Sequence, residues 1–188
     1  TCWSAFTNIK DNDWDYYLDY RKSQGFNTLQ INILPQWDAS ATDLCYEPFE
    51  VIDGKYNYKK LNLSYFEHAD KMCARAKEKG FELALVIMWC NFVPDTWASQ
   101  FYSKGIMPID CIDNYINIIH ETFTKYEPLY IISGDTDFNT EQCIEYYVKC
   151  AKQIKELAPN CLYTTHIKGR YTYIPDNLYS YLDLCFYQ

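Results

Sequence analysis

The sequence predicts an α/β protein, a (β/α)₈ barrel of which strands two to six fall within these 188 residues. Three observations lead there. Strand and helix signals alternate along the chain, which implies parallel pairing through right-handed crossovers. Polar and aromatic residues gather just after the strand ends, at Gln36, Trp37 and Asp38, at Trp89 and Asn91, at Asp135 and Asp137, at His166, and at Tyr187 and Gln188. A barrel collects such residues around its C-terminal rim, whereas an open doubly wound sheet concentrates them at one switch point. Neither G-x-G-x-x-G nor the P-loop lysine pattern follows any strand, which argues against a nucleotide-binding open sheet.

The elements follow from periodicity and punctuation. Asp11 to Gln24 carries Trp14, Tyr17, Leu18 and Arg21 at helical spacing, and Gly25 sits where such a helix stops. Phe26 to Leu34 alternates with period two, as a strand does. Ser64 and Glu67 form a capping-box pattern that opens a helix running to Lys79, with Gly80 as its stop. Phe81 to Trp89 is a continuous apolar run, the signature of a parallel strand covered on both faces. Asp110 to Tyr126 places Ile112, Tyr115, Ile116, Ile119 and Phe123 on one helix face, and Pro128 ends it before a strand at Leu129 to Ser133. Asn139 or Thr140 caps a helix that runs to Ala158, and Cys161 to His166 and Leu182 to Tyr187 read as two further short strands. The whole of 1–188 reads as one partial barrel domain. Strand one and strands seven and eight are expected to be missing, so the chain is expected to be a fragment.

Composition excludes several partners. The net charge is −8, from 17 basic and 25 acidic residues, with no basic block, so neither nucleic acid nor an anionic membrane surface is an expected partner. No apolar run is long enough to cross a bilayer, and no leader is visible, although the first residue is Thr1 and not Met. Nine cysteines are scattered without a C-x-x-C pair or zinc-finger spacing, which reads as small buried hydrophobes in a reducing compartment. The cytoplasm of a bacterium is the expected location, with secretion as the other possibility. No histidine pairs with another His or a carboxylate at metal-site spacing, so neither a metal nor any other cofactor is expected. The 19 tyrosines and 5 tryptophans fit sugar stacking, but they fit an aromatic core as well.

Four stretches, in order along the chain, carry a resemblance. Thr1-Cys-Trp3 looks like a D-T-x-W motif after strand one. Tyr17-Leu-Asp-Tyr-Arg-Lys-Ser-Gln-Gly-Phe-Asn27 is similar to Y-L-x-x-R-x-x-x-G-F-N. Tyr65-Phe-Glu-His-Ala-Asp70 is similar to Y-F-x-x-x-D, and Pro128 to Asp137 resembles a strand-four ending W-x-x-G-G-[DE] with Ser133 in place of the first Gly. These are motifs of the apiosidase-like glycoside hydrolases, (β/α)₈ barrels. The resemblance implies a carbohydrate substrate, an acid/base carboxyl after strand four and a nucleophile carboxylate after strand seven. Carried over, Asp135 is the general acid/base, and the nucleophile lies beyond Gln188. Such a pair works because one carboxyl protonates the leaving oxygen while the other attacks the anomeric carbon, about 5–5.5 Å away in retaining enzymes.

Each site residue has a plainer reading beside the functional one. Asp135 is either that acid or a turn aspartate ahead of the next helix. Asp137 is either a sugar ligand or the neighbouring charge that raises the pKa of Asp135, since a two-residue spacing on a strand puts both on one side. Trp37, Asp38, Trp89, Asn91, Tyr187 and Gln188 are candidate substrate-binding residues that would also suit a packed rim. His166 either bonds a sugar hydroxyl or packs, and His68 and His120, inside helices, read as structural. The segment from Asp95 to Met107, with Trp97, Phe101 and Tyr102, reads as a wall of the site or as surface packing. The function expected is a retaining glycosidase that removes a terminal sugar from an oligosaccharide, with the fragment alone inactive. A non-catalytic carbohydrate-binding barrel is the alternative, and a metal- or phosphate-dependent barrel enzyme the third reading.

Overall fold

The computed structural model describes residues 2–37 and 46–187. Four parallel strands form the main sheet: β1 (Thr28–Asn32), β4 (Glu82–Trp89), β5 (Leu129–Gly134) and β6 (Leu162–Thr164), side by side in that order. Helix α2 (Asp11–Ser23) precedes β1, while α3 (Leu63–Glu78), α4 (Ile112–Phe123) and α5 (Glu141–Leu157) make the crossovers into β4, β5 and β6. This is the strand–helix alternation that the sequence predicts.

Each element has a local cause. Every residue of β4 after Glu82 is buried, because Leu83 to Trp89 offers an apolar side chain to both faces of the sheet. Helix α4 buries Ile112, Tyr115, Ile116, Ile119 and Phe123, the face that its periodicity predicts. The chain leaves α2 through Gly25, whose φ of 84° a side chain would resist. Thr140 is the N-cap of α5, its hydroxyl accepting the Cys143 amide at 3.2 Å.

Much of the aromatic content goes into this core. Tyr65, Tyr115, Tyr130, Tyr147 and Tyr163 are fully buried. All but the Tyr147 hydroxyl are hydrogen-bonded among the described residues: Tyr65 donates to the Ile33 carbonyl, and Tyr115 to that of Ile87 at 2.6 Å. Burial satisfied in this way brings large apolar area inside without an orphaned polar tip.

The structure departs from the sequence reading in four places. The capping box does not form. Asn62 is the N-cap of α3, its side chain turned to donate to the Glu47 carbonyl at 2.8 Å, and Ser64 donates to the Asn62 Oδ1 instead. The strand expected at Leu182 to Tyr187 is reduced to a single parallel bridge between His166 and Phe186. A short helix, α1 (Ala5–Asn8), lies ahead of α2. The largest addition is an antiparallel hairpin, β2 (Phe49–Ile52) and β3 (Lys55–Leu61), between β1 and α3. Asp53 and Gly54, with φ of 49° and 75°, make the two-residue turn that such hairpins favour.

The hairpin braces the loop after β4. Tyr56 donates its amide to the Lys104 carbonyl at 3.1 Å, Tyr58 donates its hydroxyl to the Gly105 carbonyl, and the Lys104 ammonium reaches Glu47 at 3.1 Å. The segment that carries Trp97 and Phe101 is thereby held against the rim. Among the described residues no helix is long and apolar enough to cross a membrane.

Candidate active site

The C-terminal ends of β1, β4, β5 and β6 form one continuous lining. At its left edge the Trp3 carbonyl accepts the Asn32 amide at 3.2 Å, which seats Trp3 beside the end of β1. The Trp3 and Trp89 rings lie 5.1 Å apart, and Trp89 lies 5.6 Å from the His166 ring. Trp89 also covers Gly134: a Cβ there would come within 2.6 Å of the Trp89 Cδ2 and closer still to Cε3. The glycine ahead of Asp135 is therefore a steric requirement of the tryptophan that ends β4.

Asp135 follows directly, in the left-handed region at φ 51°, half-buried. Aspartate is among the few residues that tolerate this conformation. Its carbonyl accepts the Trp97 indole N–H at 2.8 Å. Burial is the main cause that lifts its carboxyl above the ordinary carboxylate range; Asp137 adds a smaller push, and His166 and Lys168 oppose it. A carboxyl that holds its proton more tightly than usual is what a general acid needs.

Asp137 is 5 % exposed and accepts the Lys168 ammonium on Oδ2 at 3.2 Å. β5 ends at Gly134 and Asp135 is left-handed, so the two-residue spacing of Asp135 and Asp137 is not that of a strand, though the Asp137 charge acts on Asp135. Trp89, the last residue of β4, and Asn91, in the 3₁₀ turn after it, are buried beneath the rim, the Asn91 amide donating to the Pro35 carbonyl at 3.5 Å. Trp37 is exposed on the rim, its ring 5.6 Å from Trp97 and 6.1 Å from Phe101. Tyr187 is exposed one residue past Phe186, and Asp38 and Gln188 lie outside the described residues.

Several polar atoms of this lining are buried without a hydrogen-bond partner among the described residues: the indole nitrogens of Trp3 and Trp89, and the Oδ1 atoms of Asn32, Asn91 and Asp137. Buried donors and acceptors are costly when unpaired. Here two donors and three acceptors gather around the ends of β1, β4 and β5, the last of which leads into Asp135. The sequence reading missed Asn32 and Lys168. Asn32 was detectable as an amide in an otherwise apolar strand; Lys168 had no local signal.

The other histidines have packing partners. His68 bonds Asp11 at 3.2 Å and stacks on Tyr46 at 3.9 Å, with burial holding its pKa low, and His120 meets Thr124 at 3.2 Å. Among the described residues no group of three His, Cys, Asp or Glu side chains could hold a metal ion.

Known proteins can be compared with this geometry. A glycoside hydrolase family 5 structure from Bacteroides vulgatus ATCC 8482 superposes with a TM-score of 0.74 at 22% identity, over 97% of this chain and 37% of that one. A protein described as a glycoside hydrolase gives 0.68 at 24% identity, over 90% and 36%. The hyperthermostable endo-1,4-beta-D-mannanase from Thermotoga petrophila RKU-1 gives 0.55 at 17%, over 95% and 61%. These likenesses show the fold, a (β/α)₈ barrel present in part, and this chain spans just over a third of the length of the first two. No curated protein matches the sequence. The family model described as Apiosidase-like, catalytic domain, matches residues 1–188, and the chain belongs to that family.

Proposed function

We propose that these residues supply the acid/base half of a retaining glycosidase active site. The observation that carries the reading is Asp135: a half-buried carboxyl with a raised pKa, on a left-handed turn at the barrel rim that also holds buried donors and acceptors without a partner among the described residues. In this reading Asp135 donates its proton to the glycosidic oxygen as the bond to the anomeric carbon breaks. As that bond breaks, a carboxylate from barrel strand seven attacks the anomeric carbon to form a glycosyl-enzyme, and in the second step Asp135 takes a proton from the water that displaces the carboxylate. Family membership and the glycoside hydrolase neighbours support the reaction class.

Sugar recognition is assigned by chemistry. The Trp3 and Trp89 N–H groups and the Asn32 and Asn91 carbonyl oxygens match the mixed donor and acceptor character of sugar hydroxyls. Trp37, Trp97 and Phe101 present aromatic surface farther out, suited to stacking on a second ring. His166, over the edge of Trp89, adds a polar ring to the same wall.

The test is Asp135→Asn in the full-length protein. With glycosides of poor leaving groups, kcat is expected to fall by roughly 10²–10⁴, the usual contribution of general acid–base catalysis. With activated aryl glycosides the loss in the first step is expected to be far smaller, because such leaving groups depart without a proton. Normal hydrolysis of an unactivated substrate by the variant would exclude Asp135 as the acid. Sugar binding without any turnover by the wild-type full-length protein would favour a carbohydrate-binding barrel instead.

A further inference from the structure

The ion pair Asp137–Lys168 is not accounted for by the acid/base reading, although it stands two residues from the acid. Asp137 is almost wholly buried, and a carboxylate in that position needs a fixed cation. Lys168 provides it from beyond the same end of the neighbouring strand β6, and the same residue donates its backbone amide to the Thr136 carbonyl at 2.8 Å. Thr136 in turn bridges Ile167 in parallel register. The segment 135–138 is thus clamped to 167–168 through both main chain and side chain. The clamp closes over an unusual stretch of backbone, because Asp135 and Phe138 are both left-handed, each with φ of 51°. Two such residues within four positions persist only where the surroundings over-determine them.

We propose that Lys168 and Asp137 form a positioning pair, which holds the Asp135 turn in its left-handed conformation and fixes the charge beside its carboxyl. Neither residue donates the catalytic proton; both act through Asp135. The proposal rests on the acid/base reading of that residue. The charged and titratable groups that act on Asp135 come from three places. Asp137 lies on its own turn, His166 and Lys168 come from the end of β6, and the Cys90 thiol, after β4, faces both aspartates. Removing the Lys168 cation leaves Asp137 as an uncompensated neighbouring anion, whereas removing the Asp137 anion leaves the cation alone. The two substitutions therefore act on Asp135 with opposite sign.

The experiment is a carboxyl NMR titration of the full-length protein carrying ¹³C-labelled aspartate, with the Asp135 resonance assigned by its loss in Asp135→Asn. Lys168→Met is expected to move the Asp135 midpoint up and Asp137→Asn to move it down. The double variant should fall between them, and Lys168→Arg should restore the wild-type midpoint. A destabilised fold would not produce shifts of opposite sign. If Lys168→Met fails to fold by circular dichroism, Asp137→Asn and the double variant decide the matter. Shifts of the same sign, or none in variants with a native fold, would overturn the proposal and leave the acid/base reading intact. Unimpaired hydrolysis by Asp135→Asn would remove that reading and leave opposite shifts standing.

Discussion

Asp135 is held at a cost to the fold. Burial raises its carboxyl pKa in the native state, so the folded chain binds that proton more tightly than the unfolded chain does. A carboxyl shifted in this direction contributes stability that is fully present below the unfolded value, and that stability is lost as pH rises through the native value. Asp135→Asn, which stays neutral and tolerates the same left-handed backbone, is therefore expected to raise the thermal midpoint at pH 7. The gain should close as pH falls below about 3.9, the ordinary aspartate value. Melting curves of both proteins across that range check it, and a variant less stable at pH 7 would contradict the sign. Gly134 belongs to the same economy of space, since the Trp89 ring leaves no room there for even an alanine methyl. The strand end at Asp135 was legible in the sequence because Gly-Asp after an apolar run marks a turn, and its candidate role as the acid came from the family resemblance. Its partner Lys168 was not, because the contact spans 31 residues that the fold alone brings together.

At the scale of elements, local pattern located the strands and helices well, and long-range contacts decided their edges. Ser64 and Glu67 have the spacing of a capping box, yet Asn62 takes the cap position because its amide and backbone are drawn to Glu47 and Pro48. Thr140 behaves as expected, and it also donates to Asp95 at 2.9 Å, which joins α5 to the loop after β4. Thr140→Ala is expected to destabilise the full-length protein by about 1 kcal/mol, read from urea unfolding. The hairpin β2–β3 was legible in principle: Val51-Ile-Asp-Gly-Lys-Tyr56 carries a strong two-residue turn signal between strand-forming residues. A reading fixed on strand–helix alternation passed over it. Its role, bracing the loop that carries Trp97 and Phe101, depends on Lys104 and Gly105 nearly fifty residues away.

Across the molecule, the arc from β1 to β6 forms one wall of a barrel, with the candidate site at one end of its strands and a tyrosine-rich core beneath. Eight cysteines among the described residues are free thiols, six of them buried. Burial pushes Cys2 and Cys143 up to about 11, so little thiolate is present at neutral pH. The thermal midpoint is accordingly expected to be the same with and without reductant, and thiol reagents should label the native protein slowly and the denatured protein fast. Counting reactive thiols before and after denaturation checks this, and such an outcome would suit the reducing compartment expected from the sequence.

Four of the five tryptophans, Trp3, Trp37, Trp89 and Trp97, gather at or just beneath the rim, while Trp14 is packed against α3, its indole donating to the Met72 carbonyl. If the proposed sugar site is right, the intrinsic emission of this part of the protein is dominated by indoles in or next to that site, and saccharide binding is expected to shift it. The aromatic wall would then double as an optical sensor, against which a library of unlabelled saccharides can be screened before any hydrolysed bond is known.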